Sequence, residues 1–302
     1  MRLAVTGASG QISLALQQLS GPECAVLVLA RPQFDLAEAG NAEALLRQMR
    51  PDVVVNAGAY TAVDLAEQDA ARCEAVNAVG PGRLAAACAQ MDIPILQIST
   101  DYVFDGTKTV PYEEEDAPSP LNVYGASKWR GERVVAAANP RHVILRTSWV
   151  YSPGGRNFVT TMLRLARTQN SVDVVADQFG CPTSAQDLAQ AIMRVSAQVA
   201  SGTAGQQAFG LFHLAGSGDT SWAGLAQAVF DHRRLRSGCA TPMVRAIRAD
   251  QHAAKAARPK NSRLRCDRFQ RVFGFSLPHW SLSLQACLDS LTDDAAPTGQ
   301  AP

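Results

Sequence analysis

No stretch of the chain approaches the roughly 18 to 20 uninterrupted apolar residues that a membrane span requires. Met1-Arg2 runs straight into a strand-like segment with no apolar signal core. A soluble, cytoplasmic protein is expected. Charge of one sign is equally scarce, since 28 Lys and Arg stand against 27 Asp and Glu for a net +1. That is too little for the whole-molecule field of a nucleic-acid binder. The seven cysteines (Cys24, Cys73, Cys88, Cys181, Cys239, Cys266, Cys287) are odd in number, and no two stand at C-x-x-C or a comparable metal spacing. They read as reduced, mostly packed thiols. The five histidines form no H-x-x-x-H pair, so no metal site is expected.

What is present suits a globular protein. With 302 residues, 47% apolar and 18% charged, the chain can bury one large core or two modest ones. Between Arg245 and Arg271, nine basic residues face only Asp250 and Asp267, a local +7. This stretch is either a seat for a small anion or a solvated loop and helix face.

The first half alternates short β-branched runs (2–6, 25–30, 53–56, 95–100, 143–147) with helix-like segments near 11–19, 41–49, 69–90 and 122–138. Runs such as Val53-Val54-Val55 lack polar alternation, as strands covered on both faces do. The pattern predicts an α/β fold, a Rossmann-type doubly wound parallel sheet over residues 1–150. Beyond it, strand-like 172–175, 211–214 and 243–247 alternate with helix-like 186–199 and 221–232. They predict a smaller C-terminal α/β lobe over 151–292, with some return to the first domain. Residues 293–302 have too little to bury and are expected to stay unstructured.

Directly after the first strand comes Thr6-Gly7-Ala8-Ser9-Gly10-Gln11-Ile12-Ser13, a glycine-rich turn opening a helix. Backbone N–H groups there can hold the pyrophosphate of a dinucleotide. Ser13 takes the place of the third glycine. The second strand ends Leu29-Ala30-Arg31, with a guanidinium where NAD-binding proteins carry a carboxylate; Arg31 either favours NADPH or is an exposed loop residue. Tyr124-Gly125-Ala126-Ser127-Lys128 places a phenol and an ammonium on one helix face. A lysine cation there is expected to bring the phenol's pKa down toward the working range, and Thr100, ending the fourth strand, to hydrogen-bond a substrate oxygen.

Together these residues resemble the extended short-chain dehydrogenase/reductase superfamily. Further segments narrow the likeness to the dTDP-4-dehydrorhamnose reductase family: Arg50-Pro51-Asp52-Val53-Val54-Val55-Asn56-Ala57, Ala59-Tyr60-Thr61-Ala62-Val63-Asp64, Ser99-Thr100-Asp101-Tyr102-Val103-Phe104, Arg146-Thr147-Ser148-Trp149-Val150-Tyr151, Asp177-Gln178-Phe179-Gly180-Cys181-Pro182-Thr183 and Arg258-Pro259-Lys260-Asn261-Ser262-Arg263-Leu264. The resemblance implies reduction of a dTDP-linked 4-keto-6-deoxy sugar by NADPH, with NADH as the other possible donor. Tyr124 would be the proton donor, Lys128 its partner and ribose clamp, and Thr100 the carbonyl hydrogen-bond donor. Asp101 and Trp149 would contact the sugar. Gly7, Gly10, Gln11, Ile12, Asp35, Leu36, Ala59, Tyr60 and Thr61 would hold the cofactor. Arg258 is added as a partner for the diphosphate because a guanidinium fork matches phosphate oxygens.

The chain departs from the family's pattern in places. Where some members place three glutamates on a magnesium ion joining two subunits, it has Ala15, Gln186 and Ser281, so no structural magnesium is expected. A monomer, or a homodimer not bridged by magnesium, follows. Leu65 and Ile98 replace a lysine and a tyrosine of some relatives, without removing a proton or hydride step. Two other readings stay open: a sister reductase acting on another nucleotide-linked deoxysugar, and a non-catalytic NADP-binding subunit resembling the regulatory subunit of methionine adenosyltransferase. A sugar dehydratase fits less well, because Tyr102 follows Asp101 where those enzymes carry a second carboxylate.

Overall fold

The computed structural model describes residues 1–238 and 240–291. The tail expected over 293–302, and Cys239, lie outside the described residues. The first half runs β1 (Arg2–Thr6), α1 (Gln11–Gln18), β2 (Ala25–Leu29), α2 (Ala42–Met49), β3 (Val53–Asn56), α3 (Val63–Ala66), α4 (Ala70–Glu74), α5 (Gly80–Gln90), β4 (Ile95–Thr100), α6 (Val123–Ala138) and β5 (His142–Thr147). The second runs β6 (Val150–Tyr151), α7 (Phe158–Leu165), β7 (Ser171–Val175), β8 (Phe179–Gly180), β9 (Thr183–Ser184), α8 (Ala185–Ser201), β10 (Gly210–His213), β11 (Thr220–Ser221), α9 (Trp222–Ser237), β12 (Met243–Ile247), α10 (Asp267–Phe273) and α11 (Trp280–Asp289).

Six strands form one sheet in the order β10-β5-β4-β3-β1-β2, and every pairing within it is parallel. The period of two in the strands divides their side chains between two cores. Leu3, Val5, Val53 and Val55 pack on one face with Leu16 of α1 and Leu188 and Ile192 of α8. Ala4 and Val54 pack on the other with Leu46, Leu84 and Val135 of α2, α5 and α6. Burial on both faces is why the valine run shows no polar alternation.

Two features differ from the expected outline. The helix read over 69–90 is continuous but contains a π turn at Ala75–Val79. The return of the second half to the sheet is also substantial, since β10 forms its edge beside β5 and α8 packs on α1. What remains of the smaller lobe gathers α7, α9 and α11 around Tyr151, Val159, Leu225, Phe230 and Leu284, beside the parallel pair β7 and β12. Among the described residues no helix is long and apolar enough to cross a membrane.

Candidate active site

The chain leaves β1 for β2 on one side and returns to place β3 on the other, so the strand order reverses between β1 and β3. Such a switch point opens a crevice at the carboxyl ends of the strands. The glycine-rich turn lies there. Gly7 has φ +84°, a left-handed conformation that glycine adopts without strain, and its N–H donates to the Leu29 carbonyl at 2.9 Å. Gly10 caps α1 with no side-chain hydrogen bond, and nothing lies within 4 Å of where its Cβ would be. The first N–H groups of α1 are therefore left to an anion, and the turn fits a dinucleotide pyrophosphate. Ser13 compensates for the missing glycine by donating to the Gly7 carbonyl. The Ile12 side chain sits in the core at 9% exposure, which leaves its backbone as the part able to face a cofactor. Gln11 bridges to the other lobe, donating to the Val150 carbonyl at 3.2 Å and accepting from Ser152 at 2.8 Å.

Beneath the crevice runs a ladder of polar side chains that no sequence motif marks. Thr6 Oγ1 donates to Asn56 Oδ1 at 2.6 Å, Asn56 Nδ2 to Gln97 Oε1 at 2.7 Å, and Gln97 Nε2 to the Ile98 carbonyl at 3.0 Å. The same carbonyl accepts from Lys128 Nζ at 2.6 Å. The faint signal for it is Asn56 closing the valine run of β3 and Gln97 set between the apolar Leu96 and Ile98 of β4. The ladder ties the glycine turn to the helix that carries Tyr124 and Lys128.

That helix, α6, starts where Asn122 Oδ1 accepts from the Gly125 N–H at 2.7 Å, a side-chain cap. A Cβ on Gly125 would come 2.1 Å from the Tyr102 carbonyl oxygen, so only glycine lets α6 approach this closely. Tyr124 meets Tyr102 edge to face, ring centroids 5.9 Å apart, and hydrogen-bonds Thr100. Thr100 Oγ1 also donates to Asp101 Oδ1 at 3.1 Å and accepts from the Tyr102 N–H at 3.2 Å. Tyr124, Thr100, Asp101 and Lys128 are thus brought together at the end of β4.

The electrostatics depart from expectation in one respect. Burial pushes the Tyr124 phenol up to about 12, although the Thr100 hydrogen bond pulls the other way. Lys128, its ammonium turned to the Ile98 carbonyl, does not offset that burial. Desolvation lowers Lys128 itself to about 8, opposed by the negative charge of Glu132 one turn along. Burial also raises Asp101 to about 7. The expected lowering of the phenol is not found; at about 12 it is protonated throughout the neutral range.

The remaining predicted residues fall around the same crevice. Asp35 Oδ1 accepts from the Ala37 N–H at 2.9 Å, and its other oxygen pairs with Arg72 at 2.9 Å. The carboxyl is held below its usual range, first by the Ala37 bond. Arg31 is exposed, while the Leu36 side chain is packed in the core. The loop of Ala59, Tyr60 and Thr61 is held by Asn77, a residue the motifs did not reveal. Its Oδ1 accepts from the Tyr60 N–H at 2.8 Å, and its Nδ2 donates to the Tyr60 carbonyl and to Ser127 Oγ, both at 3.0 Å. Asn77 lies in the π turn, a local irregularity common at functional sites. Arg258 pairs with Asp64 at 2.8 Å, so part of its fork is already engaged. Six of the nine basic residues of its stretch (Arg245, Arg248, Arg258, Arg263, Arg265, Arg268) have carboxylate partners, which largely dissolves the apparent charge cluster. Where the magnesium-binding glutamates would stand, Ala15 is buried, Gln186 accepts from Ser184 and Ser281 Oγ lies 2.9 Å from His279 Nδ1. A concavity of about 550 Å³ at the amino ends of the strands, lined by Met1, Asp52, Met91 and Arg141 among others, contains none of the predicted site residues.

The family described as the RmlD substrate binding domain matches residues 1–293. The dTDP-4-dehydrorhamnose reductase of Sinorhizobium fredii is 49% identical over 94% of this chain and 95% of its own length. That of Salmonella typhimurium is 37% identical over 96% and 98%. This chain belongs to the dTDP-4-dehydrorhamnose reductase family. Among solved structures, the reductase of Bacillus anthracis in complex with NADP superposes with a TM-score of 0.88 at 31% identity, covering 96% of this chain and 99% of that one. A UDP-glucose 4-epimerase from Brucella ovis, in complex with NAD, shares the fold at 18% identity, a TM-score of 0.76 and 95% and 96% coverage.

Proposed function

We propose that the protein reduces the C4 keto group of dTDP-4-dehydro-β-L-rhamnose to give dTDP-L-rhamnose, using NADPH, or NADH in its place. The observation that carries this reading is the meeting of Tyr124, Thr100 and Lys128 at the carboxyl end of β4, across the crevice from an uncapped glycine turn. Family membership supports the substrate. When bound, the reduced nicotinamide supplies the hydride. Gly7, Gly10, Gln11, Ile12, Asp35, Leu36, Ala59, Tyr60 and Thr61 hold the dinucleotide, the turn meeting its pyrophosphate. Lys128, mostly cationic at pH 7, clamps the ribose. Thr100 turns its hydroxyl from Asp101 to the C4 oxygen as charge develops there, and Tyr124 gives that oxygen its proton. The transfer runs downhill because an alkoxide is a stronger base than a phenolate. Asp101 and Trp149 hold the sugar, and Arg258 meets the diphosphate with the part of its fork not taken by Asp64. The six cysteines among the described residues are free thiols, five of them buried, which suits the cytoplasmic location we assign.

The purified protein, given NADPH, dTDP-4-keto-6-deoxyglucose and its 3,5-epimerase, is expected to deplete the reduced-nicotinamide absorbance. The rate should hold through pH 7 and fall above about pH 8, where Lys128 loses the proton that makes it a cation. The phenol, at about 12, stays protonated across that window. No absorbance change would favour the non-catalytic NADP-binding reading. Arg31, exposed just beyond the end of β2, is assigned to the 2′-phosphate of NADPH. Arg31→Ala should raise KM for NADPH about tenfold and leave KM for NADH unchanged; equal effects on both would remove that assignment.

A further inference from the structure

The polar ladder beneath the crevice runs in one direction. Ile98 lies one residue past the last pair of β3 with β4, Asn56 with Gln97, and its carbonyl can only accept. Gln97 must therefore face it with Nε2, at 3.0 Å, which turns Oε1 to Asn56 Nδ2 and Asn56 Oδ1 to the Thr6 hydroxyl. At the other end the Gly58 N–H, which can only donate, meets Thr6 Oγ1 at 2.8 Å. A chain that starts on a pure donor and ends on a pure acceptor holds both amides in a single orientation. Thr6, Asn56 and Gln97 are each no more than 1% exposed, so water does not compete for these bonds, and each bond polarises the next.

The last acceptor is shared. Lys128 Nζ donates to the same Ile98 oxygen at 2.6 Å, so the two lone pairs of that carbonyl meet one donor each. Gln97 takes one side of the oxygen, and the buried ammonium is left a single place on the other. All three ladder side chains are neutral, so they fix the place of the ammonium without adding charge beside it. Apolar side chains would fill the two amide positions as Val55 and Leu96 fill theirs, and packing alone does not call for two buried amides.

We infer that Gln97 is a positioning residue for Lys128. Oriented by Asn56 and Thr6, it occupies one side of the Ile98 carbonyl and so sets where the ammonium stands against the cofactor ribose. The inference rests on the assignment of Lys128 to the ribose. Without the Gln97 N–H, a second lone pair of the carbonyl is open and the ammonium can swing across the oxygen. The N–H groups that face the ribose then lose their alignment.

Gln97→Met, close in volume and without donor or acceptor, is expected to weaken NADPH binding about tenfold, the loss that goes with a hydrogen bond to a charged group, while the affinity for dTDP stays within about twofold. Fluorescence titration reads the first and calorimetry the second, neither needing turnover. Lys128→Met is expected to weaken NADPH binding as well, and adding Gln97→Met to it should bring no further loss, because the group being positioned is gone. A ladder that only braced the glycine turn would give losses that add. Gln97→Met also leaves Asn56 Nδ2 buried without its acceptor. Asn56→Leu with Gln97→Met removes that orphan and should recover most of the melting temperature but none of the NADPH affinity. The pair takes the place of the single variant if the latter fails to fold. An unchanged NADPH affinity, additive losses, an affinity that returns with the melting temperature, or a Lys128→Met protein that binds NADPH normally overturns the inference. Non-additive losses without any NADPH turnover would instead sink the reductase reading and leave the role of Gln97 standing.

Discussion

Tyr124→Phe lowers kcat by about 10²- to 10⁴-fold, the range that a positioned general acid contributes, with NADPH affinity close to unchanged. The substitution keeps the ring that meets Tyr102 edge to face and removes the hydroxyl alone. Thr100 and Lys128 remain to orient the sugar and the ribose, so the loss falls on kcat. Steady-state kinetics with a fluorescence titration of NADPH separate the two effects. A variant retaining near-full rate would move the acid elsewhere. Asp101, hydrogen-bonded to Thr100 and raised by burial to about 7, is then the next candidate.

The second large effect concerns the ion pair beneath α6. Glu132 of α6 and Arg146 of β5 are almost fully buried and meet in a two-pronged contact, Nε to Oε1 at 2.8 Å and Nη2 to Oε2 at 2.7 Å. Ser99 donates to the same carboxylate at 2.5 Å. The guanidinium lies over Phe104, 5.0 Å from its centroid. On the next strand His213 faces Arg146; burial, then the guanidinium charge, pushes that imidazole down to about 3, so it stays neutral. Glu132→Ala would leave the Arg146 cation buried with no counter-charge, which costs about 3–5 kcal/mol. The melting temperature should fall on the order of 10 °C. The same substitution removes the negative charge that supports the Lys128 cation, so the alkaline limb of the rate profile should move below pH 8. Replacing both partners with apolar residues, Glu132→Leu with Arg146→Met, should restore much of the melting temperature and leave the limb displaced. A limb that stays in place in both variants would mean that Glu132 acts on stability alone.

The strands and the meeting of Tyr124, Thr100 and Lys128 were legible because they leave local marks. Valine and isoleucine runs bounded by polar turns announce buried strands, and a phenol four residues before a lysine needs only helix geometry to share a face. What escaped depends on partners far along the chain. The basic stretch around Arg258 looks like a binding patch until the fold brings Asp64, Glu113, Glu115, Asp173 and Asp219 against it. Asn56 and Gln97 read as ordinary strand residues, and their shared ladder exists only because β3 and β4 are neighbours. Asn77 needs the π turn to reach Tyr60. The direction of the Tyr124 shift also lay out of reach, since spacing shows that a lysine is near but not that burial outweighs it. The Trp149 stack joins residues 73 positions apart through a two-residue ladder that no periodicity signals.

The central claim is that the hydride lands on C4 of the sugar. NADPH carrying two deuteriums at C4 of the nicotinamide, turned over with dTDP-4-dehydro-β-L-rhamnose and followed by NMR of the sugar, should give dTDP-L-rhamnose carrying one deuterium at its own C4. A product with the opposite configuration at C4, deuterium at any other carbon, or unconverted sugar nucleotide would contradict it.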